Sequence, residues 1–467
     1  MSAARALLLA LVAAGCSPRS ESPPARPAPV AAAAPSPPAA ASAAPATPDS
    51  EADAVVAEAL RLVARARELP AKASVPGARL DRDALRREVD RLMAEEAPPE
   101  LVAGNTEVLF ALDTVPADFD FRATLSVLYG VQLAGFYDPK RKRMVLASDL
   151  GEDAERMTLF HELVHALQDQ HYGLDAALDW KPERSDVLAA LHSLCEGDAT
   201  SAMFDVFALA SGQPQPEIPP GLLRLDGVLS QAAPSLGSVP SIITRSLMAP
   251  YADGLAFVSY LRKNVGGWGA VDQAWRRQPL STEQILHPEK YVAFEPVLPI
   301  AEIAPPPGYA AIYRDVIGEQ GLRLLFEEWA PASRAAEAAS DWGGDRLAVF
   351  DQGGQRVVRW HLAFDDEKAA KRALTTLARG ALRPELARQS AKRLELRDFA
   401  DAEAAALASA SGQVCRERPQ RGAFAAVRHG RHIGVTLGPY LRAGDDVRAA
   451  GTCPQALHWA SDLARQQ

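Results

Sequence analysis

The sequence predicts an α+β fold, in which a largely helical body is followed by a small C-terminal α+β domain. Apolar residues make up 48% and charged residues 23% of the 467 positions, which is ordinary usage for a packed globular chain. Between residues 51 and 291 apolar positions recur mainly at helical spacing, whereas the segment from about residue 336 shows strand and turn patterns. Because this length exceeds what one hydrophobic core usually organises, we expect more than one folded part.

The first sixteen residues have the features of an export signal. Arg5 precedes a short apolar run, residues 6–14, that is too short to span a bilayer as a helix. The run ends in LVAAGC, which resembles the lipobox of bacterial lipoproteins. We therefore expect residues 1–16 to be a lipoprotein-type signal peptide and a lipidated Cys16 to anchor the exported chain to the cell envelope. Because Ser17 follows the cysteine, the outer membrane is favoured if the host is Gram-negative.

Residues 17–50 consist mostly of Pro, Ala and Ser, a composition that cannot bury a core and favours extended chain. We expect a disordered linker there, then a main domain at residues 51–335 and an accessory α+β domain at residues 336–467. The formal net charge of −9 provides no basic excess for neutralising phosphates. The composition therefore argues against nucleic-acid binding.

Two helical patterns open the main domain, one from Glu51 and one from Asp81. Two short apolar segments then flank a charged turn that begins with Asp138, namely Leu133–Tyr137 and Met144–Ala147. This arrangement predicts a β-hairpin directly before the most informative helix of the chain.

That helix carries the stretch HELVHALQDQH, residues 161–171, which contains the pattern His-Glu-x-x-His. On an α-helix His161 and His165 project from one face about one turn apart, so both imidazoles can bind a single Zn²⁺. Glu162 can then reach a water molecule at the metal and act as the general base. The pattern predicts a zinc site on this helix.

We expect the helix to begin near Glu152 or Ala154 and to end at Gly173, which can adopt the left-handed conformation of a C-terminal cap. A second helix is predicted at residues 185–212. It carries Glu196 among small and apolar neighbours, where a carboxylate is costly unless it is paired or bound to a metal.

Two residues compete for the third ligand position. His171 stands where the metzincin pattern His-Glu-x-x-His-x-x-Gly-x-x-His has its last histidine, but Gln168 replaces the glycine that lets the chain leave the helix. If the helix continues, His171 is rotated about 240° and displaced about 9 Å from His165. Glu196 would instead complete a His₂Glu set, and Gly197 removes bulk beside it. We expect Glu196 to be the ligand and keep His171 as the alternative.

The accessory domain begins with DRLAVFDQGGQRVVRWHLAF, which predicts two strands joined by a Gly-Gly turn and followed by a helix. RGAFAAVRHGRHIGVTLG predicts two further strands, and a last helix follows Cys453. Cys415 and Cys453 could pair as a disulfide in an oxidising compartment, with two unpaired thiols as the alternative. Cys195 is expected to be a small core residue.

The stretches HELVHALQDQ and EGDA, preceded by AGFYDP and followed by STEQILHPEKY, resemble the gluzincin clan of zinc metallopeptidases. They are most similar to a poorly characterised prokaryotic set that shares them. The resemblance covers roughly residues 130 to 295 and implies a zincin-like fold for the helical body. It also implies that His161, His165 and Glu196 bind Zn²⁺ and that Glu162 is the general base.

The resemblance has three further implications. A peptide substrate would pair with the strand before the signature helix, Met144–Ala147, as an edge strand. Asp169 matches an aspartate of thermolysin-like enzymes and is expected to give structural support. A Tyr or His from a downstream segment would stabilise the oxyanion. The candidates are Tyr251, His287 and Tyr291, of which His287 is our choice because it lies in a polar loop.

These observations predict a membrane-anchored, exported zinc metallopeptidase that hydrolyses peptide bonds with a zinc-bound water activated by Glu162. One alternative is a non-catalytic, zincin-like envelope lipoprotein that acts as a binding or scaffold module. The intact Glu162 argues against it, because a scaffold has no need of the base. The other alternative is a metzincin-like peptidase with His171 as the third ligand.

Overall fold

The computed structural model describes residues 50–96, 98–124, 134–212, 239–389, 411–444 and 446–466. It has a mixed α+β structure with a C-terminal β-sheet, as predicted. The predicted signal peptide, its Cys16 and all but the last residue of the predicted linker lie outside the described residues. Among the described residues, no helix combines the length and the apolarity needed to cross a membrane.

The N-terminal part consists mainly of helices with a small sheet. Its elements are α1 (Ser50–Arg67), β1 (Gly77–Leu80), α2 (Arg82–Glu96), α3 (Pro99–Ala111), β2 (Gly135–Asp138), β3 (Arg143–Ala147), α4 (Glu152–Tyr172), α5 (Leu174–Ala177), α6 (Ser185–Ser211), α7 (Ser241–Leu261), α8 (Gly267–Arg276), α9 (Thr282–Leu286) and α10 (Pro288–Ala293). A π-helical turn, Arg262–Gly266, joins α7 to α8.

The C-terminal part is a sheet flanked by helices. Its elements are β4 (Ala310–Asp315), α11 (Gly318–Glu327), α12 (Ala332–Ala339), β5 (Trp342–Gln352), β6 (Gln355–Phe364), α13 (Glu367–Gln389), β7 (Gln413–Arg418), β8 (Gly422–His429), β9 (His432–Ala443), β10 (Asp446–Ala449) and α14 (Cys453–Ala464).

Helix α4 begins and ends where the sequence predicts. Three acidic residues lie in its first turn, where they interact favourably with the helix dipole. Gly173 follows the last turn with φ of 70° and donates its backbone N–H to the carbonyl of Asp169. A non-glycine residue would be strained in this left-handed conformation, which explains why the helix stops at the glycine.

The predicted hairpin is present, but its second strand is not an edge strand. β2 and β3 pair antiparallel, and β1 pairs with the other side of β3 in parallel, so the strand order is β1-β3-β2. The expectation that Met144–Ala147 offers a free edge to a peptide is therefore wrong. Among the described residues β2 has only β3 as a neighbour, and it takes the edge position nearest to α4.

The C-terminal sheet has the strand order β4-β5-β6-β9-β8-β7, with β10 paired to β9, and every pairing is antiparallel. β4 lies ahead of residue 336, so the sheet uses chain that we assigned to the main domain. Cys415 in β7 and Cys453 at the start of α14 form a disulfide with an S–S distance of 2.06 Å.

Helix α3 packs into the core of the C-terminal sheet although it precedes that sheet by about two hundred residues. Phe110 contacts the ring of Tyr440 in β9 with a centroid distance of 5.2 Å. Glu107 accepts a hydrogen bond from the Tyr440 hydroxyl at 2.8 Å and pairs with Arg356 and Arg442. The two parts of the molecule are therefore interlocked through α3.

Candidate metal centre

Helices α4 and α6 bring three potential metal ligands together. His161 and His165 project from one face of α4, and Glu196 projects from the middle of α6. The Nε2 atom of His161 lies 3.1 Å from Glu196 Oε2, and that of His165 lies 3.4 Å from Glu196 Oε1. One donor atom from each residue lies within 4.8 Å of the others, and all three residues are buried. This set can hold a metal ion.

The state of Glu196 fits a cation ligand. Burial opposes its ionisation, but the imidazoles of His165 and His161 hold the pKa of Glu196 well below its usual range. Its Oε1 atom is buried and accepts no normal hydrogen bond from the described residues. An ionised, buried carboxylate with an unsatisfied oxygen between two imidazoles has the chemistry of a His₂Glu zinc set.

Glu162 lies beside these donors on α4 and is 2% exposed. Its Oε2 accepts a hydrogen bond of 3.0 Å from the backbone N–H of Tyr137 in β2. Burial raises the pKa of Glu162, which the adjacent imidazoles partly offset. The carboxylate is thus held between the donor set and the edge of the small sheet.

Gln168 is a functional candidate that the sequence reasoning missed. Its Oε1 lies 2.8 Å from Nδ1 of His165, and its Nε2 donates a 2.9 Å hydrogen bond to the backbone carbonyl of Cys195. The spacing from His165 to Gln168, three residues along one helix, could have indicated this contact. The sequence by itself identifies Gln168 only as a good helix former.

His171 does not join the donor set. Helix α4 continues through Gln168 to Tyr172, so His171 points away, and its Nε2 lies 2.8 Å from the carbonyl oxygen of Pro70. The alternative in which His171 is the third ligand does not fit this geometry. The reason is the one expected from the missing glycine: without it the helix does not turn back.

The three candidate oxyanion donors have different surroundings. His287 lies at the end of α9 and forms a 2.8 Å hydrogen bond with Glu319 of α11, without a contact to the donor set among the described residues. Tyr291 donates its hydroxyl to the carbonyl of Arg277. Tyr251 of α7 stacks on His161 with a centroid distance of 5.7 Å. The structure therefore places Tyr251 beside the donor set and His287 beside Glu319, so of these two candidates Tyr251 is the one that contacts a potential metal ligand.

Asp169 has the structural position that we expected. It accepts hydrogen bonds from the Tyr137 hydroxyl at 2.8 Å and from Lys142 Nζ at 2.6 Å, and its other oxygen accepts the backbone N–H of Leu174. These contacts tie the β2–β3 hairpin to the C-terminal end of α4. Asp169 makes no hydrogen bond to His161 or His165 among the described contacts.

Gly197 permits a close helix crossing beside Glu196, as the sequence suggested. A Cβ atom at Gly197 would lie 2.1 Å from the backbone of Gly254 in α7, and a Cβ at Gly254 would lie 1.8 Å from the carbonyl oxygen of Ser193. Backbone atoms cannot retreat from such contacts, so both positions require glycine. The crossing places α7, with Tyr251, against the helix that carries Glu196.

His192 is a further histidine at the site that the sequence reasoning did not include. It lies one turn before Glu196 on α6, and its Nε2 is 3.7 Å from Glu196 Oε1. The spacing His192-x-x-x-Glu196 on one predicted helix was the available signal. His192 also lines a cavity whose lining includes none of the three donor residues.

Comparison with known proteins identifies a family for the C-terminal part only. Residues 309–448 match a family described as a domain of unknown function, DUF8575. This range runs from just before β4 into β10 and includes none of the three metal-ligand candidates. The comparisons with curated proteins and with solved structures gave no match.

Proposed function

We propose that this chain is a zinc-dependent metallopeptidase with a zincin-like body. The observation that carries the proposal is the donor set His161, His165 and Glu196, with Glu162 adjacent to it on α4. Zn²⁺ in this set would supply Lewis acidity, lowering the pKa of a water molecule and polarising the substrate carbonyl. The gluzincin resemblance of the sequence agrees with this assignment.

Two side chains would act on the reacting atoms. Glu162 would accept a proton from the attacking water and pass it to the leaving amine, because it is an acid that lies beside the donor set without being one of the candidate ligands. Tyr251 would donate a hydrogen bond to the developing oxyanion, since its ring already stacks on His161.

The substrate backbone would lie along β2, which replaces β3 in this role. The backbone N–H of Tyr137 points from β2 towards Glu162, so a peptide paired at this edge would pass the candidate base. Export and lipid anchoring at Cys16 remain part of the proposal on the sequence argument alone. The substrate would then be a peptide or protein outside the cytoplasm.

The test of the function uses the Glu162→Gln variant. Glutamine has the same shape but cannot accept a proton, so we expect zinc to stay bound while peptide cleavage falls by about 10²-fold or more. Zinc is measured by elemental analysis, and cleavage is measured by mass spectrometry of a mixed peptide library. Cleavage by the native chain should also stop with a chelator and return with added zinc.

Glu152→Gln is the matched control, because Glu152 is exposed at the start of the same helix. We expect this variant to keep both zinc and activity. Full cleavage by Glu162→Gln would refute the mechanism. Stoichiometric zinc without cleavage of any peptide would refute the peptidase function and favour the binding module instead.

A further inference from the structure

A cavity of about 390 Å³ lies where the helical body meets the C-terminal sheet. Side chains of α3, α6 and α7 line it, together with side chains of α11, of the segment before α11 and with Trp360 of β6. Most of its lining side chains are aliphatic or aromatic. Such a concave apolar surface is typical of a ligand site.

Two of the cavity's lining residues lie next to residues of the candidate metal centre. His192 lines it, and the Nε2 of this residue lies 3.7 Å from Glu196 Oε1. Pro250 also lines it and directly precedes Tyr251, whose ring stacks on His161. A group bound in the cavity would therefore contact His192, which neighbours Glu196, and Pro250, which directly precedes the tyrosine that stacks on His161.

The polar side chains of the lining already have partners within the protein. Asp315 accepts hydrogen bonds from the Ser185 hydroxyl at 2.5 Å and from the backbone N–H of Val316 at 2.9 Å. Gln320 donates to Asp253 at 2.7 Å. A charged group that entered the cavity would lose its hydration without gaining a hydrogen-bond partner, which costs free energy. An apolar group has no such cost. One small side chain would leave much of the volume empty, so the occupant must be bulky.

Part of the cavity's lining belongs to the domain of unknown function. Val316, Ile317, Leu324, Leu325 and Trp360 all line the cavity and all fall within residues 309–448. We propose that this domain serves as the specificity wall of the peptidase, and that it selects peptides with bulky apolar residues beside the scissile bond. This inference rests on the proposed function and assigns a role to the part of the chain that lies outside the metal centre.

The test fills the cavity from each side. Ala189→Phe adds a phenyl group from α6, and Val316→Phe adds one from the domain of unknown function. Val187→Phe is the matched control, since Val187 lies on α6, is half-buried and does not line the cavity. All three are made in the full chain carrying Glu162→Gln, so that cleavage does not consume the probe. Near-ultraviolet circular dichroism checks that each variant is folded.

The probes are two fluorescein-labelled, alanine-rich peptides that differ only at the centre, Leu-Phe in one and Ala-Ala in the other. We expect the Leu-Phe peptide to bind at least about 10-fold more tightly by fluorescence anisotropy. Each filling variant should reduce its affinity to that of the Ala-Ala peptide, and the control should not. Equal affinity for both peptides, or full affinity in folded Val316→Phe, would overturn the inference.

Measurements of peptide cleavage distinguish a failure of this inference from a failure of the proposed function. If the zinc-loaded chain with native Glu162 cleaves peptides without preferring the Leu-Phe sequence, the specificity wall is refuted and the peptidase remains. If it cleaves neither peptide while the binding preference persists and Val316→Phe abolishes it, the apolar cavity is upheld and the peptidase function fails.

Discussion

At the residue scale, the amide of Gln168 performs two tasks. Its Nε2 faces the Cys195 carbonyl, which can only accept, so its Oε1 must be the atom that faces His165. In the neutral imidazole of His165 the proton is then on Nδ1, and the lone pair of Nε2 faces the donor set. The same side chain joins α4 to α6 next to Glu196.

We predict that Gln168→Met lowers the zinc affinity by about 10- to 100-fold, because His165 loses its orienting partner. Gln170→Met is the control, since Gln170 also accepts cross-element hydrogen bonds, from the backbone of Lys72 and Ala73, but away from the site. Affinity is measured by competition with a chromophoric chelator, and the melting temperatures of the metal-free variants are compared. Equal zinc affinity in the two variants would show that Gln168 has no positioning role.

Sequence reasoning could group the donors but could not find all of their supports. His161 and His165 follow from a local four-residue spacing, and Glu196 follows from the cost of a carboxylate among apolar neighbours. Tyr251 lies about ninety residues further along the chain, and no local pattern indicates which tyrosine a helix crossing brings to His161. For that reason the sequence favours His287 only through its polar surroundings.

At the scale of elements, the buried guanidinium of Arg67 joins α1 to helices α6 and α8 near the metal centre. Arg67, the last residue of α1, is 0% exposed and pairs with Asp198 of α6 at 2.5 Å and with Asp272 of α8 at 2.7 Å. Its guanidinium lies 4.3 Å from the ring centroid of Trp268. Asp198 stands two residues after Glu196, so α1 supports the helix that carries a metal ligand.

We predict that Arg67→Leu lowers the free energy of unfolding by about 3–5 kcal/mol, because it leaves Asp198 buried without its cation. Arg61→Leu is the control on the same helix: the Arg61 side chain is 74% exposed and pairs only with Glu58 among the described contacts. That change should stay within about 0.5 kcal/mol. Urea denaturation followed by circular dichroism measures both, and similar midpoints for the two variants would contradict the role of Arg67.

The long periodic helices and the strong hairpins could be predicted from sequence, whereas short strands could not. β1 has only four residues, and β3 supplies its hydrogen-bonding partners from far along the chain. Without β1, β3 had to be placed at an edge. β4 could not be predicted for a similar reason. The residues at its N-terminal end are exposed, and the strands of its sheet lie later in the chain.

At the scale of the whole molecule, domain boundaries drawn along the sequence do not describe the packing. Helix α3 supplies Val108 and Phe110 to the core of the C-terminal sheet. Glu107 of the same helix is buried against cations and a tyrosine of that sheet. The accessory part therefore needs a helix from the first quarter of the chain.

We predict that residues 309–467 expressed alone do not form a stable native sheet, because the α3 site stays open and Arg356 and Arg442 lose Glu107. Adding a peptide of residues 98–124 should produce one-to-one binding and a cooperative thermal transition. The same peptide with Phe110→Asp should not, since it would bury a charge in an apolar site. A sharp unfolding transition and dispersed amide signals from the fragment alone would contradict this dependence.

The distance along the chain between α3 and its sheet also determines when α3 can fold against that sheet during synthesis. The Glu107–Tyr440 hydrogen bond spans 333 residues. At roughly 5–20 residues per second, the ribosome needs about 15 to 70 s to pass from one partner to the other. Throughout that interval the apolar face of α3 lacks the sheet residues that cover it in the folded protein. Helix α3 can therefore take its native place against the sheet only after β9, which carries Tyr440, has been synthesised.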